Sequence, residues 1–334
     1  MADRLGPPLA EPLFDKLAII GIGLIGSSVA QAANLRRCAK RIALADTSAE
    51  VVARAEALGL GDEVTRDVTT AVENADCVML CAPVGATETI GRAIAPALKR
   101  GAIVTDVGSV KSAVVSALTT VLPAHARLVP AHPVAGTEYS GPDAGFPTLF
   151  VNRWCIVTPP GEADPNAVAA VRALWESFGA HVEVMSPDHH DLVLAITSHV
   201  PHLIAYNIVG TAADLEDTLR SEVIKFSAGG FRDFTRIAAS DPTMWRDVFL
   251  NNRDAVLEML GRFSEDLTAL QRMIRRGDGD GLFDLFTRTR AIRLGIVAMG
   301  QETSAPDFGR RAAEENISEA LSPPPTIAAV PQES

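Results

Sequence analysis

The first half of the chain alternates short apolar runs with stretches of helical periodicity. The apolar runs lie at 17–20, 41–45, 76–81 and 102–106. Short apolar runs suit strands buried on both faces, and strands that alternate with helices form a doubly wound parallel sheet. We therefore predict an α/β domain over residues 15–186, with its first strand starting at Lys16 and residues 1–14 unstructured.

The second half of the chain has a different pattern. From Asp188 to about Gly300 only helical spacing is found, which predicts an all-helical domain over residues 187–301. Residues 302–334 are rich in Pro, Ser, Ala and Glu and have no period, so we predict a disordered tail. One long predicted helix carries apolar residues at intervals of seven, four and three, namely Phe249, Val256, Leu260, Phe263, Leu267, Leu270 and Ile274. Such a heptad-like seam can pack within the chain or between two subunits, and we favour a homodimer.

A glycine-rich turn joins the first apolar run to the first helical stretch. It reads Gly21-Ile22-Gly23-Leu24-Ile25-Gly26, and the predicted helix runs from Ser27 to Arg37. The first glycines of such a turn allow close approach to a pyrophosphate, the last lets helix and strand pack, and the helix N–H groups are free to bind an anion. We predict a Rossmann-type dinucleotide-binding domain, with a glycine-rich turn that binds nothing as the alternative. The predicted cofactor contacts are Gly21, Gly23, Leu24, Ile25 and Gly26.

Asp46 ends the second apolar run, about 20 residues beyond the last glycine. A carboxylate there accepts hydrogen bonds from the adenosine ribose and repels a 2′-phosphate, and the following Thr47 and Ser48 bring no cation. The sequence therefore predicts NAD rather than NADP as the cofactor. The alternative interpretation of Asp46 is an ordinary helix cap.

Two polar residues follow predicted strands and are candidates for catalysis. His132 comes after an apolar stretch and opens a loop rich in Gly and Pro, while Ser109 lies in the turn after the fourth apolar run. Ligands of doubly wound sheets bind beyond the carboxyl ends of the strands, so both side chains can face one cavity. An imidazole titrates near neutral pH, which makes His132 a candidate general base. A structural histidine and, for Ser109, a helix N-cap are the ordinary alternatives.

Four histidines cluster at the start of the helical half, with a proline among them. They are His189, His190, His199 and His202, and Pro201 lies between the last two. A proline inside a helix leaves backbone groups unpaired and usually kinks the helix, so polar residues beside it can serve a ligand. The alternative is a set of surface or core histidines. Zinc is disfavoured because no cysteine or acid lies at ligand spacing, and we predict no metal site.

Two arginines, Arg232 and Arg236, lie between aromatic residues farther along the chain. A guanidinium can bind a carboxylate through two hydrogen bonds, although pairing with nearby acids is the ordinary alternative.

Composition narrows the classes of partner. The 334 residues carry a net charge of -11, which disfavours binding to nucleic acid or anionic lipid. The four cysteines form no metal-ligand doublet and are read as reduced buried thiols. We see no basic segment followed by an apolar one at the N-terminus and no apolar run near the length of a membrane span. We therefore predict a cytoplasmic protein that acts on a small molecule.

Taken together, these residues resemble the prephenate/arogenate (cyclohexadienyl) dehydrogenase family over roughly Leu17 to Gly300. The glycine turn is generic, whereas four further motifs in this order are highly specific. They are Asp106-Val-Gly-Ser-Val-Lys111, His132-Pro-Val-Ala-Gly-Thr-Glu138, Ser198-His-Val-Pro-His202, and Phe231-Arg-Asp-Phe-Thr-Arg-Ile-Ala238 followed by Asp241-Pro-Thr-Met-Trp245.

The resemblance implies NAD-dependent oxidative decarboxylation of prephenate, arogenate or both, giving 4-hydroxyphenylpyruvate, tyrosine or both, in tyrosine biosynthesis. It implies that His132 takes the proton of the ring C4 hydroxyl while a hydride leaves C4 for nicotinamide, and that Ser109 orients both groups. Loss of the ring carboxylate as carbon dioxide makes the step effectively irreversible.

The resemblance also implies a set of substrate contacts. Arg236 matches the position that binds a substrate carboxylate, and His202, Trp245 and His190 match positions that line the pocket. Arg232 and Asp233 are expected to reach the site of a partner subunit. From the sequence, Lys111 is an additional cation near the site, and Gly136, Thr137 and Glu138 are expected to form pocket wall.

Two competing interpretations make different demands on these residues. A β-hydroxyacid dehydrogenase or imine reductase also joins a dinucleotide domain to helices, but it does not predict the His-Pro-Val-Ala-Gly loop. A catalytically silent NAD-sensing protein needs the glycine turn but neither Ser109 nor His132.

Overall fold

The computed structural model describes residues 7–137, 139–214 and 229–298. The chain forms two compact units, one ending at Thr268 and the other starting at Ala269. The predicted tail at 302–334 lies outside the described residues.

A six-stranded parallel sheet forms the centre of the first unit, in the order β3-β2-β1-β4-β5-β6. Its strands are β1 Phe14–Ile20, β2 Ala39–Ala45, β3 Glu63–Thr65, β4 Cys77–Leu80, β5 Ile103–Asp106 and β6 Arg127–Leu128. The strand order reverses between β1 and β4, which places a crevice at their carboxyl ends. The predicted Rossmann-type doubly wound sheet is therefore confirmed.

Helices cover both faces of this sheet, because alternate residues of each strand point to opposite sides. Leu17 and Ile19 enter one apolar core, and Ala18 and Ile20 enter the other. The covering helices are α1 Leu24–Arg36, α2 Ala49–Ala57, α3 Val68–Val72, α4 Thr87–Ile94, α5 Ser112–Val121 and α6 Pro165–Ser177.

The structured part of the chain begins earlier than the apolar pattern predicted. Strand β1 starts at Phe14 rather than Lys16, and Phe14 is buried. The backbone N–H groups of Leu9 and Leu13 donate to the carbonyls of Arg36 and Cys38. The expectation of an unstructured segment is therefore wrong for residues 9–14, since main-chain hydrogen bonds and a buried aromatic fix them.

A second, three-stranded sheet carries His132. It consists of β7 Ala131–Pro133, β8 Trp154–Val157 and β9 His181–Val184, with β7 antiparallel to β8 and β8 parallel to β9. The backbone leaves the first sheet at Val129, whose N–H still donates to Val104, and Pro130 has no N–H with which to continue the ladder. His132 thus lies inside β7, paired with Ile156, rather than beyond the end of a strand as predicted.

The remainder of the described chain is helical, as its periodicity predicted. The helices are α7 Pro187–Leu194, α8 Val200–Ala213, α9 Gly229–Thr235, α10 Pro242–Asn251, α11 Arg253–Arg276 and α12 Gly279–Ala298. Helix α12 belongs to the second unit.

Helices α7 and α8 are continuous through a wider turn of π-helical geometry at Ala195–His199. Such turns open the backbone ladder, and Pro201 follows in the first turn of α8, where its missing N–H costs little. By length and composition the continuous helix Pro187–Ala213 could cross a membrane, so the expectation that no apolar run approaches that length is wrong. Part of its apolar surface packs inside the protein, where Ala195 and Val200 join a buried cluster.

Candidate active site

The glycine turn after β1 is shaped by contacts that leave no room for side chains. Gly21 has a φ of 98°, and a Cβ on it would lie 2.6 Å from the carbonyl oxygen of Cys81. A Cβ on Gly26 would lie 2.0 Å from the carbonyl oxygen of Gly21. Both distances are far below van der Waals contact, so the turn requires glycine at these two positions.

At Gly23 the same turn is open. No described atom lies within 4 Å of the place where its Cβ would be, and no side chain caps α1 there. Helix α1 begins at Leu24 rather than at the predicted Ser27, so the backbone amides of Leu24, Ile25 and Gly26 form its uncapped first turn. Free N–H groups and an open approach suit the pyrophosphate of NAD.

Asp46 joins the end of β2 to the glycine turn. Its carboxylate accepts from the backbone N–H of Ile22 and of Ser48, both at 3.0 Å. The N-cap of α2 is Ser48, whose hydroxyl accepts from the N–H of Val51. The helix-cap interpretation of Asp46 is therefore wrong, and the carboxylate lies where the adenosine ribose binds in this fold.

His132 is the first member of a buried chain of polar groups that runs from β7 into α7. Its Nδ1 lies 2.8 Å from Nε2 of His190, and Nδ1 of His190 lies 2.8 Å from Oδ1 of Asp191. His190 is fully buried, whereas His132 keeps an exposed fraction of 8%. Because both ring nitrogens of His190 have partners inside the protein, the prediction that His190 lines the substrate pocket is wrong.

Asp191 connects this chain to the helix that follows β5. Its carboxylate oxygens accept from the backbone N–H groups of Lys111 and Ser112, each at 2.8 Å. Helix α5 begins at Ser112, so a carboxylate of α7 caps it from outside. Ser109 lies before this N-terminus and is not its cap, which removes the ordinary alternative proposed for it.

The three groups of the chain have defined protonation states at neutral pH. Burial lowers the pKa of His132 well below its ordinary value, and the neighbouring His190 and Lys111 act in the same direction. Burial also lowers the pKa of His190, although Asp191 opposes the change. For Asp191, burial alone raises the pKa, but the hydrogen bonds from His190 and from the α5 amides outweigh it and the pKa is lowered. Both rings are therefore uncharged and the carboxylate is ionised.

Lys111 makes a buried ion pair with Asp106 at the end of β5. Its Nζ lies 2.5 Å from Oδ2 of Asp106 and 2.8 Å from the carbonyl oxygen of Ala131. Burial lowers the pKa of Lys111 and raises that of Asp106, and the attraction between them opposes both changes. The ammonium has no exposed surface, so the prediction that Lys111 is an additional cation for the substrate is wrong. It instead anchors the residue next to His132.

Ser109 lies in the turn between β5 and α5, which is fixed on both sides. Lys111 attaches the turn to β7, and the fully buried Val110 packs in a cluster with Trp245 and Val248 of α10. Ser109 itself is half-buried. The turn therefore lies between the strand that carries His132 and a helix that carries a predicted substrate residue.

His199 forms a second buried contact beside this turn. Its Nδ1 lies 3.0 Å from the side-chain nitrogen of Asn252, which also donates to the carbonyl of Asp191. Burial lowers the pKa of His199 to about 4. Since Nδ1 accepts from the amide, the neutral ring carries its proton on Nε2, and the backbone of Ser109 lies close enough to the ring to affect its pKa.

Three of the predicted substrate residues are brought together around α8, which packs against the 3-10 turn Arg236–Ala239 and contacts α10 through a ring stack. The rings of His202 and Trp245 stack with centroids 3.7 Å apart. Nδ1 of His202 donates to the carbonyl of Ser198, and its pKa is lowered first by burial and then by the nearby charge of Arg236. Arg236 is exposed, and Nε1 of Trp245 has no partner in the described part of the chain. The positive charge of Arg236 and the unpaired N–H donor of Trp245 thus occur in the same part of the protein.

The other predicted substrate contacts lie on the surface. Arg232 is exposed and bonded to its neighbour Asp233. Gly136 and Thr137 are exposed in the loop after β7, and Glu138 lies outside the described residues. The roles predicted for these residues stay predictions.

Sequence reasoning missed Asp191, Asn252 and the burial of Asp106. A carboxylate directly after His190, and an acid five residues before Lys111, were signals that the chain offered. Asn252 had none, because its partners are more than 50 residues away.

The fold and this site define a class of protein, an NAD-dependent oxidoreductase built on a dinucleotide-binding sheet. Comparisons with known proteins narrow the class. Residues 30–184 match the nucleotide-binding domain of prephenate dehydrogenase, and residues 186–288 match its dimerization domain.

Similar proteins agree with these matches. The cyclohexadienyl dehydrogenase of Zymomonas mobilis is 45% identical over 85% of this chain and 97% of its own length. The prephenate dehydrogenase of Bacillus subtilis is 35% identical over 88% of this chain and 79% of its own. A crystal structure of prephenate dehydrogenase from Aquifex aeolicus with hydroxyphenyl propionate and NAD+ superposes with a TM-score of 0.80 at 33% identity, covering 86% of this chain and 99% of that one. The chain belongs to the prephenate dehydrogenase family.

Proposed function

We propose that this enzyme oxidises and decarboxylates prephenate or arogenate with His132 as the proton acceptor. The observation that carries the assignment of the base is the burial of a neutral imidazole on the strand attached to the Ser109 turn. A base must be neutral to accept a proton, and a low pKa keeps it so at physiological pH.

Each residue of the site has a separate role in the proposed reaction. When NAD is bound, its nicotinamide is the hydride acceptor. His132 takes the proton of the ring C4 hydroxyl as the hydride leaves C4, and Ser109 orients that hydroxyl. The electron pair of the bond to the ring carboxylate passes through the ring to the C4 oxygen as carbon dioxide leaves, so that the ring becomes aromatic and the C4 oxygen takes up a proton again. Arg236, His202 and Trp245 bind the remainder of the substrate.

The reaction is tested by NADH formation from prephenate, arogenate and a panel of β-hydroxyacids. We expect NADH from one or both cyclohexadienyl substrates, together with carbon dioxide. Activity on hydroxyacids alone would contradict the proposal, and the ratio of the rates on prephenate and arogenate would show which side chain the pocket accepts.

Arg236→Ala should raise KM for the substrate about 10- to 100-fold with little change in kcat, because a charged hydrogen bond to a carboxylate is lost in the ground state and the transition state alike. Steady-state kinetics with saturating NAD measure this. Arg172→Ala is the matched control, since Arg172 is a half-buried arginine on α6 paired with Glu176. An unchanged KM for Arg236→Ala would place this guanidinium outside the site.

A homodimer formed through the helical half is the second part of the proposal. It is supported by the match of residues 186–288 to a dimerization domain and by exposed apolar side chains. Helix α11 exposes Leu257, Leu267 and Ile274, and α12 exposes Phe283, Phe286, Ile292 and Leu294. Side chains of this size are normally covered when they occur in such numbers. The division between the two domains near residue 186, a cytoplasmic location and the absence of nucleic-acid or membrane partners stay predictions.

Phe283→Glu should convert the dimer to a monomer in sedimentation velocity runs, because a charge would be buried at the proposed interface. Phe283 is 71% exposed, so the folded chain itself should tolerate the change. Leu58→Glu, at an exposed apolar residue just after α2, is the control and should leave the dimer intact. A wild-type protein that sediments as a monomer would contradict the proposal.

A further inference from the structure

We propose that Asp191 and His190 are positioning residues that set the tautomer of His132, placing a proton on its Nδ1 and leaving its Nε2 free to accept one. The inference rests on the proposed role of His132 as the base and assigns two further residues to the same site. Neither of them needs to touch the substrate, because His190 is fully buried and Asp191 is 4% exposed.

Asp191 fixes which atoms donate and which accept in this series of hydrogen bonds. An ionised carboxylate can only accept hydrogen bonds, and here both of its oxygens do so. Oδ1 and Oδ2 accept from the backbone amides of Lys111 and Ser112, and the N-terminus of α5 favours the negative charge. Oδ1 is also 2.8 Å from Nδ1 of His190, so that nitrogen must carry a proton.

His190 passes this constraint to His132. A neutral imidazole has one protonated nitrogen, so a proton on Nδ1 leaves a lone pair on Nε2 of His190. That lone pair lies 2.8 Å from Nδ1 of His132, with the two rings edge to face at 68°. A hydrogen bond over this distance forms only if Nδ1 of His132 is the donor. Nε2 of His132 is then the unprotonated nitrogen.

The opposite tautomer of His132 would place two lone pairs against each other at 2.8 Å in a buried site. The loss of one buried hydrogen bond corresponds to a preference of about 10- to 100-fold for the tautomer described. With a proton on Nε2, His132 could not accept one from the substrate. We call the hydrogen-bonded series Asp191, His190 and His132 the relay. The relay therefore determines which fraction of the enzyme is active rather than how the substrate is bound.

The relay also accommodates the product of proton transfer. When Nε2 of His132 is protonated, the ring keeps its Nδ1–H bond to His190, and the Asp191 carboxylate lies one ring away from the new positive charge. Lys111 and His199 are the other titratable groups that lower the pKa of His132. Lys111 is paired with Asp106, so Asp191 is the anion that remains for the chain of rings.

Two substitutions of His190 separate the relay from simple packing. Asparagine places its amide near the position of Nδ1, so His190→Asn can keep the bond to Asp191 but offers His132 no acceptor. Glutamine reaches the position of Nε2, so the oxygen in His190→Gln can accept from Nδ1 of His132. We expect kcat to fall about 2- to 10-fold in His190→Asn, because the active tautomer drops from nearly all of the enzyme to part of a mixture, and to recover largely in His190→Gln, with KM for NAD and substrate unchanged in both.

A double variant tests whether His190 acts through His132. Because the relay has no other target, His132→Asn/His190→Asn should lose no more activity than His132→Asn alone. Independent, additive losses would overturn the relay. If His132→Asn itself remained active, the proposed base would fail, and that result is distinct from a failure of the relay alone.

The tautomer of His132 can also be determined without measuring activity. In wild-type enzyme labelled with 15N in the histidine rings, the signal that disappears in His132→Asn should show a protonated Nδ1 and an unprotonated Nε2 at neutral pH. In His190→Asn that pattern should shift toward a mixture of both tautomers. A wild-type His132 protonated on Nε2 would overturn the proposal even if the His190 variants failed to fold.

Discussion

His132→Asn should lower kcat by about 10²- to 10⁴-fold while NAD binding is unchanged, because the proton acceptor is removed and the glycine turn that binds the cofactor is untouched. The amide of asparagine can still donate to Nε2 of His190, so the buried chain should keep its geometry. Stopped-flow measurement of hydride transfer, together with NAD titration by fluorescence, separates chemistry from binding. Unchanged turnover would refute the assignment of the base.

The pH profile gives this prediction a second readout. A base acts only when neutral, and the pKa of His132 is lowered well below its ordinary value by burial first and by its charged or titratable neighbours next. For wild type, kcat/KM should therefore stay constant through neutral pH and fall only in acid, as His132 becomes protonated. His132→Asn should lack that acid limb. His189→Asn, at an exposed histidine of α7, is the matched control and should behave as wild type.

Lys111→Met should lower the free energy of unfolding by about 3–5 kcal/mol, because it leaves the Asp106 carboxylate buried without its partner. This is a large part of the stability of an ordinary domain. Urea denaturation followed by tryptophan fluorescence and circular dichroism measures it. Because Lys111 also bonds the carbonyl of Ala131, activity should fall together with stability.

Two further variants show whether the burial of the Lys111–Asp106 pair is the cause of the loss of stability. Lys40→Met breaks an exposed pair with Asp15, whose side chains are 66% and 71% accessible, and should change the free energy of unfolding little. Asp106→Asn/Lys111→Met removes both charges and should recover part of the stability lost in Lys111→Met. A loss in Lys111→Met no larger than that in Lys40→Met would show that the buried pair contributes nothing.

The pattern of residues along the sequence was sufficient to predict the parts of the fold that depend on contacts between residues close in sequence. Apolar runs such as 17–20 predicted buried strands because every residue there is covered on one face or the other. The glycine turn was predicted for the same kind of reason, since the clash at Gly26 involves a carbonyl only five residues away. The helical half followed from its spacing. Residue patterns alone made His132, Ser109 and Arg236 candidates, and the resemblance to the family then implied a role for each of them.

The errors at the site concern contacts between elements that are distant in sequence. Periodicity placed His190 on a helix but could not show that the helix packs against β7, so a buried hydrogen-bonding residue was read as pocket wall. Lys111 was read as a free cation because its charge is visible in the sequence and its burial is not. The break at Pro130, which moves His132 from one sheet to another, was also a tertiary event, although the missing N–H was a local warning.

Asp191 lies in the segment matched by the dimerization domain, yet it caps a helix of the nucleotide-binding segment and accepts a hydrogen bond from His190, which in turn contacts His132. The two segments therefore cannot be exchanged as independent modules. A chimera that joins residues 30–184 of this chain to the helical segment of a relative would retain a working histidine only if the graft restores an aligned His-Asp pair at positions 190 and 191. Recombination at the sequence boundary thus cuts through this hydrogen-bonded chain rather than between two separate parts of the protein.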